Sequence, residues 1–191
     1  VDEKMFRDLV EWQIAEGTNG LVPVGTTGES PTLSHKEHEQ VVEWCIDQAK
    51  GRVPIVAGAG SNSTAEAVSL SKHAEKAGAA AVLVVTPYYN KPTQEGLFQH
   101  FMAVADASPI PLILYNVPSR TGVDLAPDTV VRLAPHPRIL GIKESTGSLA
   151  RLEELVQRCG QQLEIYSGED PIAVESIRAG ARGVISVTAN V

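Results

Sequence analysis

The stretch RILGIKEST, residues 138–146, places three large apolar side chains around Gly141 and ends in a lysine, a glutamate and two hydroxyl residues. A short apolar run of this kind predicts a strand that is buried on both faces. Lysine is an unusual residue at the end of such a strand, because an ammonium group is almost never fully buried. Lys143 therefore either reaches solvent or belongs to a site that needs an amine.

Six further runs share this composition, and each ends in polar or small residues. They are GLVPVGTTGE (20–29), VPIVAGAGSN (53–62), AAVLVVTPYYN (80–90), IPLILYNVPS (110–119), LEIYSGED (163–170) and RGVISVT (182–188). Segments with helical spacing separate them, at about 3–16, 34–49, 64–77, 94–107 and 147–158. Ser34 and Glu37 form a capping-box pattern at the start of the second helix. This alternation predicts parallel strands covered by helices.

A repeating αβ chain forms either a (β/α)₈ TIM barrel or a doubly wound sheet. The segment AGAGSNST carries Gly58 and Gly60 but has Ser63 in the third position of a G-x-G-x-x-G fingerprint, and no Walker loop is present. The reactive side chains instead gather at the carboxyl ends of the runs, where barrel enzymes build their sites. We therefore predict an α/β TIM barrel.

The whole chain, residues 1–191, is predicted to be one barrel domain that is incomplete at both ends. Seven runs preceded by a helix leave the first strand and the carboxyl-terminal helical region outside the sequence. A complete barrel of this kind typically takes about 250 residues. We expect the sheet to have two exposed edges.

The acidic balance of the chain, with a net charge of −7, argues against non-specific binding to nucleic acid or to an anionic membrane. No apolar run approaches the roughly 20 residues of a membrane span, and no signal peptide is visible. The two cysteines, Cys45 and Cys159, have no metal-binding spacing and lie on helical segments, so we expect structural thiols and a cytoplasmic location.

Lys143 and two residues of the run before it suggest amine chemistry. Desolvation at a strand end would lower the pKa of Lys143, so that its neutral amine could form a Schiff base with a carbonyl substrate. The phenol of Tyr115 could move protons in such a reaction, and Arg120 could hold a substrate carboxylate. The alternatives are a surface lysine, a core tyrosine and a solvated loop arginine.

Two other loops end at the same edge of the predicted sheet. In GTTGES, Thr26 and Thr27 could converge on a small anion together with backbone N–H groups, or they could simply cap the following helix. In TPYYN, Tyr88 and Tyr89 are adjacent aromatic residues, which we expect to be exposed and to anchor an interface.

Two candidate features carry a weaker signal. His35 and His38 have the i, i+3 spacing of a metal pair, but no third ligand is evident, so a solvated helix face or an effector contact is favoured and no metal is predicted. Glu169 and Asp170 could be paired acids, although a strand-end loop in which Gly168 allows close backbone approach is expected instead.

Five motifs in order, GTTGES (25–30), TPYYN (86–90), YNVPSRTG (115–122), GIKE (141–144) and GVISVTAN (183–190), resemble the dihydrodipicolinate synthase family over essentially the whole chain. The resemblance implies a (β/α)₈ barrel and a pyruvate-dependent lyase of the class I aldolase type. It implies condensation of pyruvate with L-aspartate 4-semialdehyde in the diaminopimelate route to lysine, without a cofactor. It also implies a homotetramer built as a dimer of dimers.

The resemblance assigns roles to individual residues of this sequence. Lys143 would form the Schiff base with pyruvate, and Tyr115 would donate and accept protons. Thr26 would link Tyr115 to Tyr89 of the partner subunit in a hydroxyl relay. Four further residues would bind substrate: Thr27 and the backbone of Ile185 at the pyruvate carboxylate, Arg120 at the semialdehyde, and Gly168.

The resemblance also implies a second site, at which members inhibited by L-lysine bind it across a dimer interface. The matching residues are Ser30, His35, His38, Asn62, Glu66 and Tyr88. Glu66 suits the ammonium end of an α-amino acid, and Asn62 suits its carboxylate.

Two alternatives to this function remain open at the level of sequence. One is a related pyruvate-dependent aldolase, such as N-acetylneuraminate lyase or a 2-keto-3-deoxy sugar acid aldolase, although Arg120 and the paired threonines favour the semialdehyde enzyme. The other is an inactive amino-acid-binding fragment. Trapping of a pyruvate adduct with borohydride would separate an enzyme from a binding module.

Overall fold

The computed structural model describes residues 1–191 and contains six strands and eight α-helices. The strands are β1 (Val56–Gly58), β2 (Ala81–Val85), β3 (Leu112–Asn116), β4 (Ile139–Glu144), β5 (Glu164–Ser167) and β6 (Gly183–Val184). The helices are α1 (Glu3–Ala15), α2 (His35–Ala49), α3 (Thr64–Ala77), α4 (Gln94–Ala107), α5 (Pro118–Thr121), α6 (Pro127–Leu133), α7 (Leu149–Cys159) and α8 (Ala173–Arg178). None of the eight helices combines the length and apolar character that crossing a membrane requires.

The six strands form one parallel sheet in the order β1-β2-β3-β4-β5-β6. Doubly wound sheets reverse their strand order at a switch point, and this sheet does not. The sheet curls and brings the two ends of the chain together, so that the side-chain amide of Gln13 on α1 donates a hydrogen bond of 2.7 Å to the carbonyl of Ala189. The predicted TIM-barrel class is confirmed, with the strands forming part of a barrel wall.

The predicted strand at 20–29 is wrong in its extent. Leu21 makes an isolated parallel bridge to Ile55, and Gly58 N–H donates to the Pro23 carbonyl at 3.0 Å, so this run does lie beside β1. Pro23 has no N–H to donate, and Val24 then takes a φ of 50° that turns the chain out of the sheet. The run is therefore a bridge followed by a turn.

The sheet is buried on both faces, as the apolar runs predict. Its outer face packs against the helices in a core of 29 buried residues that includes Phe101 and Leu97 of α4. The inner face carries a smaller cluster of four buried residues: Leu83, Ile113, Tyr115 and Val117. Side chains of a strand alternate between faces, so this inner cluster places Tyr115 inside the curl of the sheet.

Side-chain caps define where the longer helices begin. The predicted capping box at α2 is confirmed, because Ser34 Oγ accepts from Glu37 N–H and the Glu37 carboxylate accepts from Ser34 N–H. At α3, α4 and α7, the hydroxyls of Ser63, Thr93 and Ser148 each accept from the N–H three residues further on. Each of these four helices consequently begins next to a hydroxyl residue that satisfies one of its free N–H groups.

Candidate active site

Two side chains meet on the inner face near the carboxyl ends of β3 and β4. Tyr115 and Lys143 are partners in the strand register, and both are buried, with 6% and 8% of their surfaces exposed. The Nζ atom of Lys143 lies 4.2 Å from the centre of the Tyr115 ring. The lysine is therefore held against a phenol ring away from bulk water, which answers the question that its sequence position raises.

Burial makes this amine less basic. Desolvation lowers the pKa of Lys143 from 10.5 to about 8, and the positive charge of Arg120 acts in the same direction. Glu169 and Asp170 oppose the shift but do not cancel it. Because the nucleophile is the neutral amine, a pKa near 8 makes Lys143 reactive at a pH where an exposed lysine stays protonated.

Gly168, in the loop after β5, packs directly against the lysine. A Cβ atom added to it would lie 1.9 Å from Ser145 Oγ and 2.6 Å from Lys143 Cε, so a larger residue here would displace these side chains or the loop. The close approach expected of Gly168 is therefore present. Ser145 was missed in the sequence, and its buried hydroxyl has no hydrogen-bond partner. Its place two residues after Lys143, on the same face, is the signal that could have found it.

The turn that carries Thr26 and Thr27 lies beyond β1 on the same side of the sheet. Thr26 is half-buried, Thr27 is exposed, and Glu29 N–H donates to the Thr26 carbonyl at 3.1 Å. Neither threonine caps a helix, because Ser34 caps α2. Their hydroxyls are consequently not committed to the structural role considered as the alternative.

Backbone strain marks where this turn begins. Val24 has a φ of 50°, which is a genuine outlier for a β-branched residue. Its carbonyl presses against β1, where a Cβ on Gly58 would lie only 2.2 Å from it. Conformations of this kind cost on the order of 1–3 kcal/mol and persist where the surroundings enforce them. Gly58 thus has a packing role that its isolated G-x-G pattern did not reveal.

The remaining candidate residues lie in segments that follow the strands, and they differ in exposure. Arg120 is exposed on α5 and influences the pKa of Lys143. Tyr89 is 89% exposed with a φ of 74°, whereas Tyr88 is only partly exposed, so the prediction of two exposed tyrosines is wrong for Tyr88. The backbone N–H of Ile185 donates to the Ser167 carbonyl at 2.9 Å, and its assignment to the pyruvate carboxylate stays a prediction.

Residues of the predicted second site gather at the amino ends of α2 and α3. His35 Nε2 lies 2.9 Å from Glu66 Oε1, and Glu66 also accepts from the Ser61 hydroxyl. Ser30, Asn62 and Tyr88 are half-buried. His38 differs from the expected solvated helix face, because it is buried and both of its ring nitrogens lack a partner. The reason is that His38 lies on the core-facing side of α2, together with Val41 and Val42.

The other sequence candidates do not build a site. No group of three or more metal-ligating side chains is brought together in the chain. Cys45 and Cys159 are free and buried, and desolvation raises the pKa of Cys45 to about 12, so both are confirmed as structural thiols. Asp170 accepts from the N–H groups of Val187 and Thr188 and so holds the loop after β6.

A buried amine and a phenol at the carboxyl edge of a parallel α/β sheet define the class: a barrel-type protein with the groups needed for Schiff-base chemistry. The model of the dihydrodipicolinate synthetase family matches residues 1–191. The chain belongs to this family.

Relatives and solved structures agree with this assignment. The 4-hydroxy-tetrahydrodipicolinate synthase of Afipia carboxidovorans is 61% identical over 191 residues, a match that covers 100% of this chain and 64% of the relative. The chain thus spans less than two thirds of that relative's length. The structure of dihydrodipicolinate synthase from Acinetobacter baumannii, complexed with pyruvate, superposes with a TM-score of 0.98 at 56% identity and covers 100% and 65% of the two chains.

A more distant structure retains the same fold. The enzyme from Cyanidioschyzon merolae, solved with lysine bound, has a TM-score of 0.95 at 36% identity, and the match covers 100% of this chain and 65% of that one. The curl of the sheet and the order of its elements are therefore those of the family.

Proposed function

We propose that this chain carries the reaction centre of a 4-hydroxy-tetrahydrodipicolinate synthase, which condenses pyruvate with L-aspartate 4-semialdehyde in lysine biosynthesis. The observation that carries the proposal is the Lys143 amine, buried against Tyr115 with its pKa lowered to about 8. The names of the relatives, and the pyruvate complex of the Acinetobacter baumannii enzyme, support this choice of reaction and first substrate.

The first step joins Lys143 to pyruvate. The neutral Nζ attacks the keto carbon, a C–N bond forms, and loss of one water leaves a protonated Schiff base. Tyr115 donates the proton that lets hydroxide leave as water and accepts protons in later steps. The pyruvate carboxylate is held by the Thr27 hydroxyl and the N–H groups of its turn, an anion site of the kind that consecutive backbone amides form.

The second step forms the carbon–carbon bond. Loss of a proton from the methyl carbon of the bound pyruvate gives a nucleophilic enamine, which attacks the aldehyde carbon of the second substrate. The exposed guanidinium of Arg120 then receives that substrate's carboxylate through a two-pronged contact. The amino group of the product then displaces Lys143 from the imine carbon, which closes the ring and frees the lysine.

Tyr89 is the residue that connects the proposed function to the assembly of subunits. Its ring is 89% exposed and contributes nothing to the core of its own chain, so it is available to a second subunit. We assign Tyr89 of the partner subunit to the hydroxyl relay that reaches Tyr115 through Thr26, within a dimer of dimers located in the cytoplasm.

L-lysine is proposed as an inhibitor. The His35–Glu66 pair supplies a carboxylate for an α-ammonium group, and the half-buried Asn62 lies in the loop that precedes α3. The lysine-bound structure of the Cyanidioschyzon merolae enzyme supports the choice of ligand. Titration of L-lysine into the turnover assay should slow the reaction, and a rate indifferent to lysine would remove this part of the proposal.

A comparison of aldehydes tests the function. The whole naturally produced protein, given pyruvate, should condense it with L-aspartate 4-semialdehyde in strong preference to N-acetylmannosamine or a sugar aldehyde. Preference for a polyhydroxylated aldehyde would assign the protein to a related aldolase. Failure to consume pyruvate with any aldehyde would favour the amino-acid-binding fragment.

A further inference from the structure

We propose that Asn116 and Glu144 are positioning residues, which hold Tyr115 and Lys143 in register from the opposite face of the sheet. The proposal rests on the proposed function, since it concerns the same reacting pair. Asn116, Asp124, Glu144 and Arg151 form a hydrogen-bonded group that we call the outer polar cluster.

Strand geometry places the outer polar cluster directly behind the site. Asn116 follows Tyr115, Glu144 follows Lys143, and the strand register pairs Asn116 with Glu144 just as it pairs Tyr115 with Lys143. Neighbouring residues of a strand point to opposite faces, so one pair faces the inside of the curl and the other faces the helices. Asn116 is fully buried, and only 3% of Glu144 is exposed.

Asn116 uses its whole amide group. Its Nδ2 donates to Glu144 Oε2 at 3.1 Å and to Asp124 Oδ1 at 2.8 Å. Its Oδ1 accepts from Leu125 N–H at 3.0 Å. One side chain thereby ties the end of β3 to the end of β4 and to the loop that follows β3.

Glu144 fixes the other strand end. Its Oε1 accepts from Thr146 N–H at 2.7 Å, and its Oε2 accepts from Asn116 Nδ2. Each carboxylate oxygen therefore faces a hydrogen-bond donor. These two hydrogen bonds favour the carboxylate form, whereas burial raises the pKa of Glu144 above its ordinary value. Arg151 lies close by and grips Asp124 through two bonds of 2.9 and 3.1 Å, which brings a guanidinium charge into the cluster.

The cost of burying Asn116 and Glu144 indicates a role beyond stability. Buried ionic clusters are often no more stabilising than well-packed apolar side chains, but a fully satisfied polar network fixes one geometry. The hydrogen bonds from Asn116 to Asp124 and Leu125 join the two ends of the segment 117–123, which contains Arg120. The network consequently sets both the Tyr115–Lys143 contact and the path of the loop that carries the proposed carboxylate ligand.

Glu144→Gln tests the inference. Asn116 Nδ2 and Thr146 N–H are both donors, and so is the amide nitrogen that glutamine places against one of them. Two donors cannot bond to each other, so one hydrogen bond is lost while the side-chain volume stays the same. We expect kcat to fall by about 10- to 100-fold while KM for pyruvate changes little, because misplacement of reacting groups by about 1 Å has effects of this size. Trapping of the pyruvate adduct by borohydride should slow in parallel.

Glu164→Gln is the matched control. Glu164 lies on the adjacent strand β5 and makes only a partly exposed ion pair of 3.5 Å with Arg182, so the same chemical change should leave kcat unaltered. A merely structural role for Glu144 would lower the melting temperature without changing kcat per folded molecule. Wild-type kcat in folded Glu144→Gln would overturn the inference.

Asp124→Ala covers the case in which Glu144→Gln does not fold. The Asp124 side chain is 40% exposed, so its loss is tolerated more easily, yet it removes one acceptor of Asn116 and the partner of Arg151. We expect a several-fold fall in kcat at similar KM, and an unchanged kcat would overturn the inference. If the wild-type protein formed no adduct at all, the proposed function itself would fail, which is a distinguishable result.

Discussion

Lys143 faces Tyr115 across the β3–β4 register, with its amine 4.2 Å from the ring centre and both side chains more than nine-tenths buried. This contact decides how the amine behaves. The ring face favours the ammonium form by a cation–π interaction, whereas desolvation favours the neutral form. Desolvation wins, because the pKa of Lys143 falls to about 8.

The buried amine predicts a particular dependence of stability on pH. Between pH 8 and 10.5 the unfolded chain binds a proton at Lys143 that the folded chain does not, so the free energy of unfolding should rise with pH in this window. Lys143→Met removes the cost of burying the charge. We expect the variant to be more stable at pH 7, by roughly 2–4 kcal/mol.

Urea unfolding of both proteins at pH 7 and pH 10 measures this effect. The advantage of Lys143→Met should shrink as the pH rises, because the wild-type amine is then neutral in the folded state. Equal stability of the two proteins at both pH values would contradict a desolvated Lys143.

The hydroxyl of Tyr115 can be tested separately from its ring. Tyr115→Phe keeps the ring against Nζ and the packing with Leu83 and Ile113, so the melting temperature should change little. Turnover should slow by about 10²-fold or more, the usual contribution of a positioned acid–base group. Near-normal turnover of the folded variant would remove Tyr115 from the mechanism.

Gly168 provides a steric test of the site. In Gly168→Ala the new Cβ would lie 1.9 Å from Ser145 Oγ, so the loop or the lysine must move. We expect formation of the reducible pyruvate adduct to slow by about 10-fold or more. Gly183→Ala is the control, because its Cβ would meet only the Tyr166 ring at 3.8 Å, and it should react like the wild type.

The capping box at α2 makes a prediction about folding alone. Ser34→Ala removes the hydroxyl that accepts from Glu37 N–H and should lower the free energy of unfolding by about 1 kcal/mol. Chemical denaturation followed by circular dichroism measures the loss. No change would mean that solvent satisfies this helix end equally well.

Local patterns predicted the parts of the fold that depend on local physics. The strands at β1 to β6 and the cap at Ser34 follow from apolar runs and from hydrogen-bonding side chains beside them in sequence. The shortened run at 20–29 could not be predicted, because its end is set by the contact between Val24 and Gly58 of β1. Such a contact depends on tertiary packing.

The candidate site was likewise predictable from sequence only in part. Lys143 and Tyr115 were identifiable, since a polar group at the end of an apolar run can be recognised in the sequence alone. The burial of His38 and the cross-strand bond between Asn116 and Glu144 were not, because each depends on which face meets a neighbouring element. Register and facing are properties of the assembled sheet.

Reduction with borohydride in the presence of pyruvate, followed by mass spectrometry of the peptides, tests the central claim most directly. The prediction is a single pyruvate-derived adduct on Lys143, formed with a rate that rises through pH 8 as the amine loses its proton. An unmodified protein, or an adduct distributed over the exposed lysines, would contradict it.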